Sequence, residues 1–348
     1  MRTVSFLLLS FLITQAVRGQ IGGLATYQFL NLSPSARVTA LGEHTINIRD
    51  RDVTLGLLNP ALLSDTIHQM ASVNHNLHVS DIGYGYIAYG HHLPQLGVSA
   101  SAGIQYVNYG SFIRADDFGN RQGEFDAGEV AVVFGASRQM DSRLSLGANI
   151  KLISSSLQEA SSLGAALDIG MYYQMDSTGA NVSVVLRNMG GQLTASGIQK
   201  DPLPFDLMIG FSKRLKYLPF RWMMTIHDLQ QWDLRFDSGL NQNASFIGQE
   251  DREETSFSQG VDNLLRHFAF GGELLIGPRE GFALRFGYDH QRNRELRVAG
   301  FRSLSGFSFG VGIKVKRFQF DYGIGGYHLG GGANHLSLRI DLARSRPY

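Results

Sequence analysis

Several short constellations in this 348-residue chain carry residue types that chemistry uses. Gly306-Phe307-Ser308-Phe309-Gly310 has the Gly-x-Ser-x-Gly spacing of a nucleophile elbow, which needs its serine on a sharp turn between strand and helix. Here large and small residues alternate through Ser308, the pattern of a continuous strand, so acyl chemistry is not expected. Gly83-Tyr84-Gly85-Tyr86-Ile87-Ala88 loosely matches a dinucleotide fingerprint, but no helix follows it. His75, His78, His91 and His92 fall in two neighbouring predicted strands. Imidazoles bind zinc, yet structural sites want four ligands at tight spacing, so surface or interface histidines are the expectation. Asp116, Asp117, Asn120 and Glu124 lack the spacing of a calcium loop and read as a turn around Gly119-Asn120. The chain has no cysteine, which excludes disulfides and thiolate metal sites. The sequence thus predicts no catalytic residues, no cofactor and no metal.

The elements that would carry these residues matter more than the residues themselves. In Ser305 to Val315, Phe307, Phe309, Val311, Ile313 and Val315 share one face, and Ser, Gly and Lys314 fill the other. Successive strand side chains point to opposite faces, so one face is apolar and the other small or polar. The pattern recurs in 144–152, 163–173, 282–288, 318–324 and 336–342. Repeated alternating segments of about ten residues are the signature of an outer-membrane β-barrel. The composition fits: 41 Gly, 22 Phe, 13 Tyr and 2 Trp, with net charge +1. Mean hydropathy is near zero because lumen residues offset lipid-facing ones. So small a net charge argues against a nucleic-acid partner.

Fourteen strands are predicted, at 69–79, 82–92, 96–108, 124–138, 142–155, 160–175, 180–189, 204–215, 219–230, 265–277, 281–290, 304–316, 318–328 and 333–343. The even number suits a single-chain barrel. The short connections (93–95, 139–141, 176–179, 216–218, 278–280 and around 317) all fall at one end. The long ones, 109–123, 190–203, 231–264 and 291–303, fall at the other, as periplasmic turns and outer loops should. None of the eight prolines interrupts a strand. Aromatics near strand ends, including Tyr84, Tyr86, Tyr89, Tyr106, Trp222 and Tyr322, are expected in interfacial girdles. Lys151, Asp168, Glu273, Arg285, Lys314, Asp321, Arg339 and Asp341 are expected to face the lumen as a mixed network, unlike the single-sign rings of ion pores.

Residues 1–19 read as a signal peptide: Arg2, an apolar run over Val4 to Ile13, then small Val17 and Gly19. The run is too short to span a bilayer as a helix. Residues 20–67 do not alternate and are predicted to form a helical plug inside the barrel of 68–348. Ser33-Pro34 suggests a helix cap with proline at the first helical position, and Gly42 the helix end. The longest outer loop carries Asp233, Asp237, Glu250, Asp251, Glu253 and Glu254. Its length and acidity make it the candidate docking surface for a partner.

Tyr27-Gln28-Phe29-Leu30-Asn31-Leu32, Ser35-Ala36-Arg37, the plug motif Asn59-Pro60-Ala61, and the carboxy-terminal stretches 306–310, 313–315, 320–322 and 327–328 together carry a family resemblance. The chain resembles FadL-like outer-membrane barrels, and within them the PorV- and PorQ-like proteins of the type IX secretion system of Bacteroidetes. The resemblance implies a non-enzymatic, outer-membrane role in holding a cell-surface attachment complex. PorZ-like, PorU-like and PorV-like proteins would be its partners, with lipopolysaccharide and outer-membrane lipid around it. The alternative it leaves open is a FadL-like channel for hydrophobic small molecules.

Overall fold

A computed structural model describes residues 25–77, 82–116, 118, 120–158, 160–175, 179–195, 200–235, 256–277, 280–296, 304–328 and 331–343. The expected signal peptide lies outside them. Fourteen antiparallel strands form a closed barrel. They are β1 (Met70–Leu77), β2 (Gly83–Leu93), β3 (Val98–Ala115), β4 (Arg121–Gln139), β5 (Leu144–Leu157), β6 (Ala160–Met175), β7 (Ala180–Thr194), β8 (Asp206–Arg214), β9 (Phe220–Ile226), β10 (Phe268–Ile276), β11 (Phe282–Asp289), β12 (Phe307–Val315), β13 (Phe318–His328) and β14 (Gly331–Asp341). Each pairs with its chain neighbours, and β1 closes onto β14 from Met70↔Asp341 to Leu77↔Asn334. Closure leaves no strand without a partner on either side, and a free edge strand is what hydrocarbon would penalise heavily.

The alternation read from sequence has its physical meaning here. In β12, Phe307, Phe309, Val311 and Ile313 are exposed, while Ser308, Gly310 and Gly312 are buried. Phe134, Ile150, Phe286, Phe320 and Leu336 are likewise half exposed on the outside. A surface this apolar is covered by lipid rather than water. Short turns join strands at one rim, and the longer connections 195–205, 227–267 and 290–306 leave the other.

Some expectations need correction. The 109–123 connection is mostly strand: β3 and β4 continue as a hairpin to Ala115 and Arg121, bulged between Asn108 and Gly110. Facing Phe112 and Phe125 stack at 5.4 Å and hold it together. Asp116 closes its tip by accepting from Phe118 N, Asn120 N and Asn120 Nδ2. The long 231–264 connection contains helix α3 (Ser256–Arg266) at its end, and 291–303 contains part of α4 (His290–Glu295). Tyr84 and Tyr86 are not girdle residues. They oppose Asn76 and Asn74, which point inward, and directly opposed residues share a face. Lys314 is exposed near the short-turn rim rather than in the lumen.

The lumen is filled by residues 25–67. Helix α1 (Ala36–Ala40) lies against β11 to β14, and α2 (Leu55–Leu58) is followed by a 3-10 turn at Pro60–Leu62 against β4, β5 and β6. The cap of α1 is Ser35, not Ser33: Ser35 Oγ accepts from Val38 N. Pro34 therefore precedes the cap instead of opening the helix. Gly42 does end it. Glu43 N donates to Val38 O and Gly42 N to Thr39 O, with Gly42 at φ 86°, a Schellman closure that favours glycine. Val38, Leu41, Ile46, Ile48, Leu55, Leu58 and Leu62 form a core with Tyr172, Val185, Met208 and Met223 of the wall. Each such buried aliphatic side chain contributes roughly 1.5–3 kcal/mol relative to exposure.

Candidate functional site

The inner face of the wall is small because plug backbone presses on it. Gly147 of β5 faces Asn59-Pro60-Ala61 so closely that a Cβ there would sit 2.5 Å from the Pro60 carbonyl carbon. Gly170 of β6 faces Asn59 in the same way. Asn59 is fully buried; its Oδ1 accepts from Ala61 N at 3.0 Å and its Nδ2 donates to Ile46 O at 2.8 Å. The plug motif is thus a self-capped turn, with Pro60 at its first position, wedged against the glycines of two strands.

Charge then fixes the plug to the opposite side of the lumen. Arg37 on α1 makes a bidentate pair with Asp50 at 2.9 and 2.7 Å, reaches Asp52 at 3.2 Å, and meets Glu273 of β10 at 2.9 Å. Arg221 of β9 bridges Asp50 and Glu273 at 3.1 and 3.0 Å. Arg285 of β11 joins Glu273 to Asp321 of β13 at 3.1 and 2.7 Å. Arg339 of β14 joins Asp52 to Asp321 at 2.9 and 2.8 Å. Four guanidiniums thus meet four carboxylates, three of these groups coming from the plug. Burial raises the Asp50 carboxyl, but Arg37, Arg221 and Arg339 outweigh it and hold Asp50 well below the usual carboxylate range. A separate pair, Lys151 of β5 and Asp168 of β6, is fully buried at 2.8 Å. Lys151 Nζ also donates to Asn188 Oδ1 at 2.8 Å, and Asp168 accepts from Asn149 and from Asn188 N. Buried charges persist only when satisfied this way. The mixed lumen network expected from sequence is therefore present for Lys151, Asp168, Glu273, Arg285, Asp321 and Arg339, whereas Asp341 pairs with Arg51 at the short-turn rim.

The other part of the lumen holds an aromatic and aliphatic cluster beside the Lys151–Asp168 pair. Tyr84, Tyr86, Val107, Val133, Ile153 and Leu203 form an inner chamber, occupied by Tyr27, Phe29 and Leu30 of the amino-terminal segment. Few polar tethers hold that segment. Tyr27 OH donates to Ser162 Oγ at 2.9 Å, Gln105 Nε2 to Phe29 O at 2.8 Å and Arg187 Nη2 to Leu30 O at 2.9 Å. The wall beside it is irregular. β7 pairs with β8 only from Ala180 to Arg187, Asn188 follows at φ 56°, and β7 bulges there, with Arg187 and Asn188 opposite Asp168 alone.

The barrel geometry has relatives among solved structures. The toluene transporter TodX of Pseudomonas putida matches at 12% identity and TM-score 0.51, over 89% of this chain and 97% of that one. A FadL homologue of Pseudomonas aeruginosa matches at 9% identity and TM-score 0.51, over 89% and 98%. The fold is FadL-like. No protein-family model matches the sequence, and no curated protein is similar to it. The chain therefore shares its barrel fold with proteins of very different sequence.

Against that architecture the chemistry-bearing residues fall apart as sites. Ser308 sits inside β12 with its hydroxyl buried, away from any strand-to-helix turn. His75 faces outward and meets Tyr106 OH at 2.9 Å, while His92 bonds Ser99 Oγ and His91 lies on the other face beside His68. His78 lies outside the described residues. Of the acidic loop, Asp233 is described and its side chain caps Arg235 N at 3.1 Å. Asp237, Glu250, Asp251, Glu253 and Glu254 lie outside the described residues. Sequence reasoning missed the aromatic chamber. Its signal was parity: Tyr84 and Tyr86 share a face with Asn74 and Asn76.

Proposed function

We propose that this chain is a plugged outer-membrane conduit for small hydrophobic molecules. The observation that carries it is the aromatic and aliphatic inner chamber, filled by the chain's own Tyr27, Phe29 and Leu30 beside an irregular stretch of wall. A hydrophobic solute that displaced this segment would keep the chamber dry, at the loss of hydrogen bonds to Ser162, Gln105, Arg187, Asn188 and Pro202. The likeness in fold to a toluene transporter supports the same direction. The charge network lies elsewhere in the lumen and would stay intact during such exchange. Delipidated protein in detergent, titrated with a fluorescent fatty-acid analogue, should bind it saturably. Val107→Arg should abolish that binding while the barrel stays folded. Equal signal from both proteins would remove the conduit reading.

A second reading rests on a different observation. The plug is held by a network of eight charges, six of them buried, and its motifs at 27–37 and 59–61 resemble those of PorV- and PorQ-like proteins. A barrel locked in this way suits a scaffold that docks a type IX attachment complex through its long-loop rim. Purification from native outer membranes tests it. Recovery of a PorZ-like protein in equal amount, lost on deletion of 240–260, supports docking. Recovery of the barrel alone with a bound hydrophobic molecule supports the conduit.

A further inference from the structure

Three side chains that neither the charge network nor the chamber uses meet at the long-loop rim. His44 follows the Schellman turn of the plug, His227 follows β9, and Asp289 ends β11. His44 Nε2 lies 3.3 Å from Asp289 Oδ2, and His227 Nε2 lies 4.0 Å from the same oxygen. One donor atom from each residue falls within 4.8 Å of the others. His227 is fully buried, and its Nε2 has no hydrogen-bond partner among the described residues. A buried ring nitrogen left unpaired is costly, so it points to a missing partner.

We propose that His44, His227 and Asp289 form a binding site for a first-row divalent cation, zinc above all, which clips the plug to the barrel wall. The donor set decides the class. Two imidazole nitrogens and one carboxylate oxygen suit zinc, which keeps a fourth position for water; calcium and magnesium want oxygen-rich sets. The surroundings are built for it. His227 Nδ1 is 2.9 Å from Asp228 Oδ2, the carboxylate–imidazole arrangement that orients a ligating histidine and frees Nε2 for the metal. Asp289 spends Oδ1 on Arg292 N at 2.8 Å and leaves Oδ2 toward the histidines. Arg292 lies 4.0 Å from that oxygen, but its charge is engaged with Glu43 at 2.6 Å. Thr225 Oγ1 donates to His44 O at 2.6 Å, fixing the plug side of the site.

One feature changes on binding. The two imidazoles now stack in parallel, with centroids 4.1 Å apart and planes 5° from each other. Parallel rings do not aim their lone pairs at one point. An ion at about 2.0–2.1 Å from each nitrogen requires one ring to tilt. His44 is the one free to do so, because its side chain is 23% exposed while His227 is enclosed. The same exposure gives the ion its route in.

The test uses the full mature chain without an affinity tag, stripped with chelator in detergent and titrated with Zn²⁺ by calorimetry. One ion per chain should bind. His44→Ala and Asp289→Asn should each weaken binding at least ten-fold, and Asp228→Asn by about 10–100-fold. His44→Ala changes a partly exposed plug residue, and unchanged heat-modifiable migration on a gel confirms that its barrel is folded. X-ray absorption of the loaded protein should show two imidazole nitrogens on the metal. Absence of stoichiometric binding to the unaltered chain would overturn the proposal. So would equal affinity in His44→Ala and Asp289→Asn, since the ion would then sit on other histidines.

Discussion

At the scale of single residues, the pair Lys151–Asp168 gives the sharpest energetic expectation. Both side chains are fully buried, so neither charge can fall back on water. Asp168→Asn leaves the ammonium without its counter-charge, and removing one partner of such a pair costs about 3–5 kcal/mol. Replacing both, as Lys151→Met with Asp168→Leu, should recover most of that loss. Urea unfolding of the refolded barrel in lipid vesicles would measure both variants; a single substitution as mild as the double one would show that water reaches the pair. Glycine gives a second case. Gly147→Val places a branched side chain where Pro60 backbone already lies, and overpacking of this kind costs about 1–3 kcal/mol. The loss should vanish when residues 25–67 are absent, a control that separates plug contact from strand propensity. These residues also mark what sequence can reveal. Asn59-Pro60-Ala61 was legible because it is local. The partners of Arg37 were not, because Glu273 lies far along the chain and only barrel closure brings the two together.

At the scale of elements, the strands were legible because period-two alternation is imposed twice, by lipid outside and by the plug inside. Boundaries failed where a different force acted. β3 and β4 run on to Ala115 and Arg121 because cross-strand Phe112 and Phe125 stack beyond the bulge. The aromatics of β2 were misplaced because Gly83-Tyr84-Gly85-Tyr86 alternates equally well in either orientation; only pairing with Asn74 and Asn76 decides it. The plug is the element whose attachment depends on pH. The Asp50 carboxyl is held below its ordinary value in the folded protein, so it binds fewer protons there than when the plug is released. Its contribution is complete above the ordinary carboxylate value of about 3.9 and is lost as pH falls further below it. Hydrogen exchange of the amides of α1 and α2, corrected for intrinsic rates, should therefore accelerate between about pH 4 and pH 2 while the strands of the wall stay protected. Plug protection that is flat over that range would show that the guanidinium cluster does not anchor it.

At the scale of the whole molecule, two solvents and one filler determine the architecture. The outside is apolar and suits hydrocarbon; the inside is polar on one side, aromatic on the other, and stoppered throughout by residues 25–67. Fourteen strands enclose more space than their own side chains fill, so the plug is what stands between a closed barrel and an open pore. Removing residues 25–67 withdraws Arg37, Asp50 and Asp52 and leaves Arg221, Arg285 and Arg339 in the wall opposite Glu273 and Asp321. Within that cluster, three positive groups would then stand against two negative ones along a water-filled passage. The truncated barrel in a planar bilayer should therefore pass ion currents that the full chain does not, with a preference for anions that weakens as salt rises. A cation preference would mean that the wall carboxylates, rather than the guanidiniums, face the freed lumen. A silent truncated barrel would mean that the wall collapses inward once its filler is gone, so that the glycine face needs the plug to keep its shape.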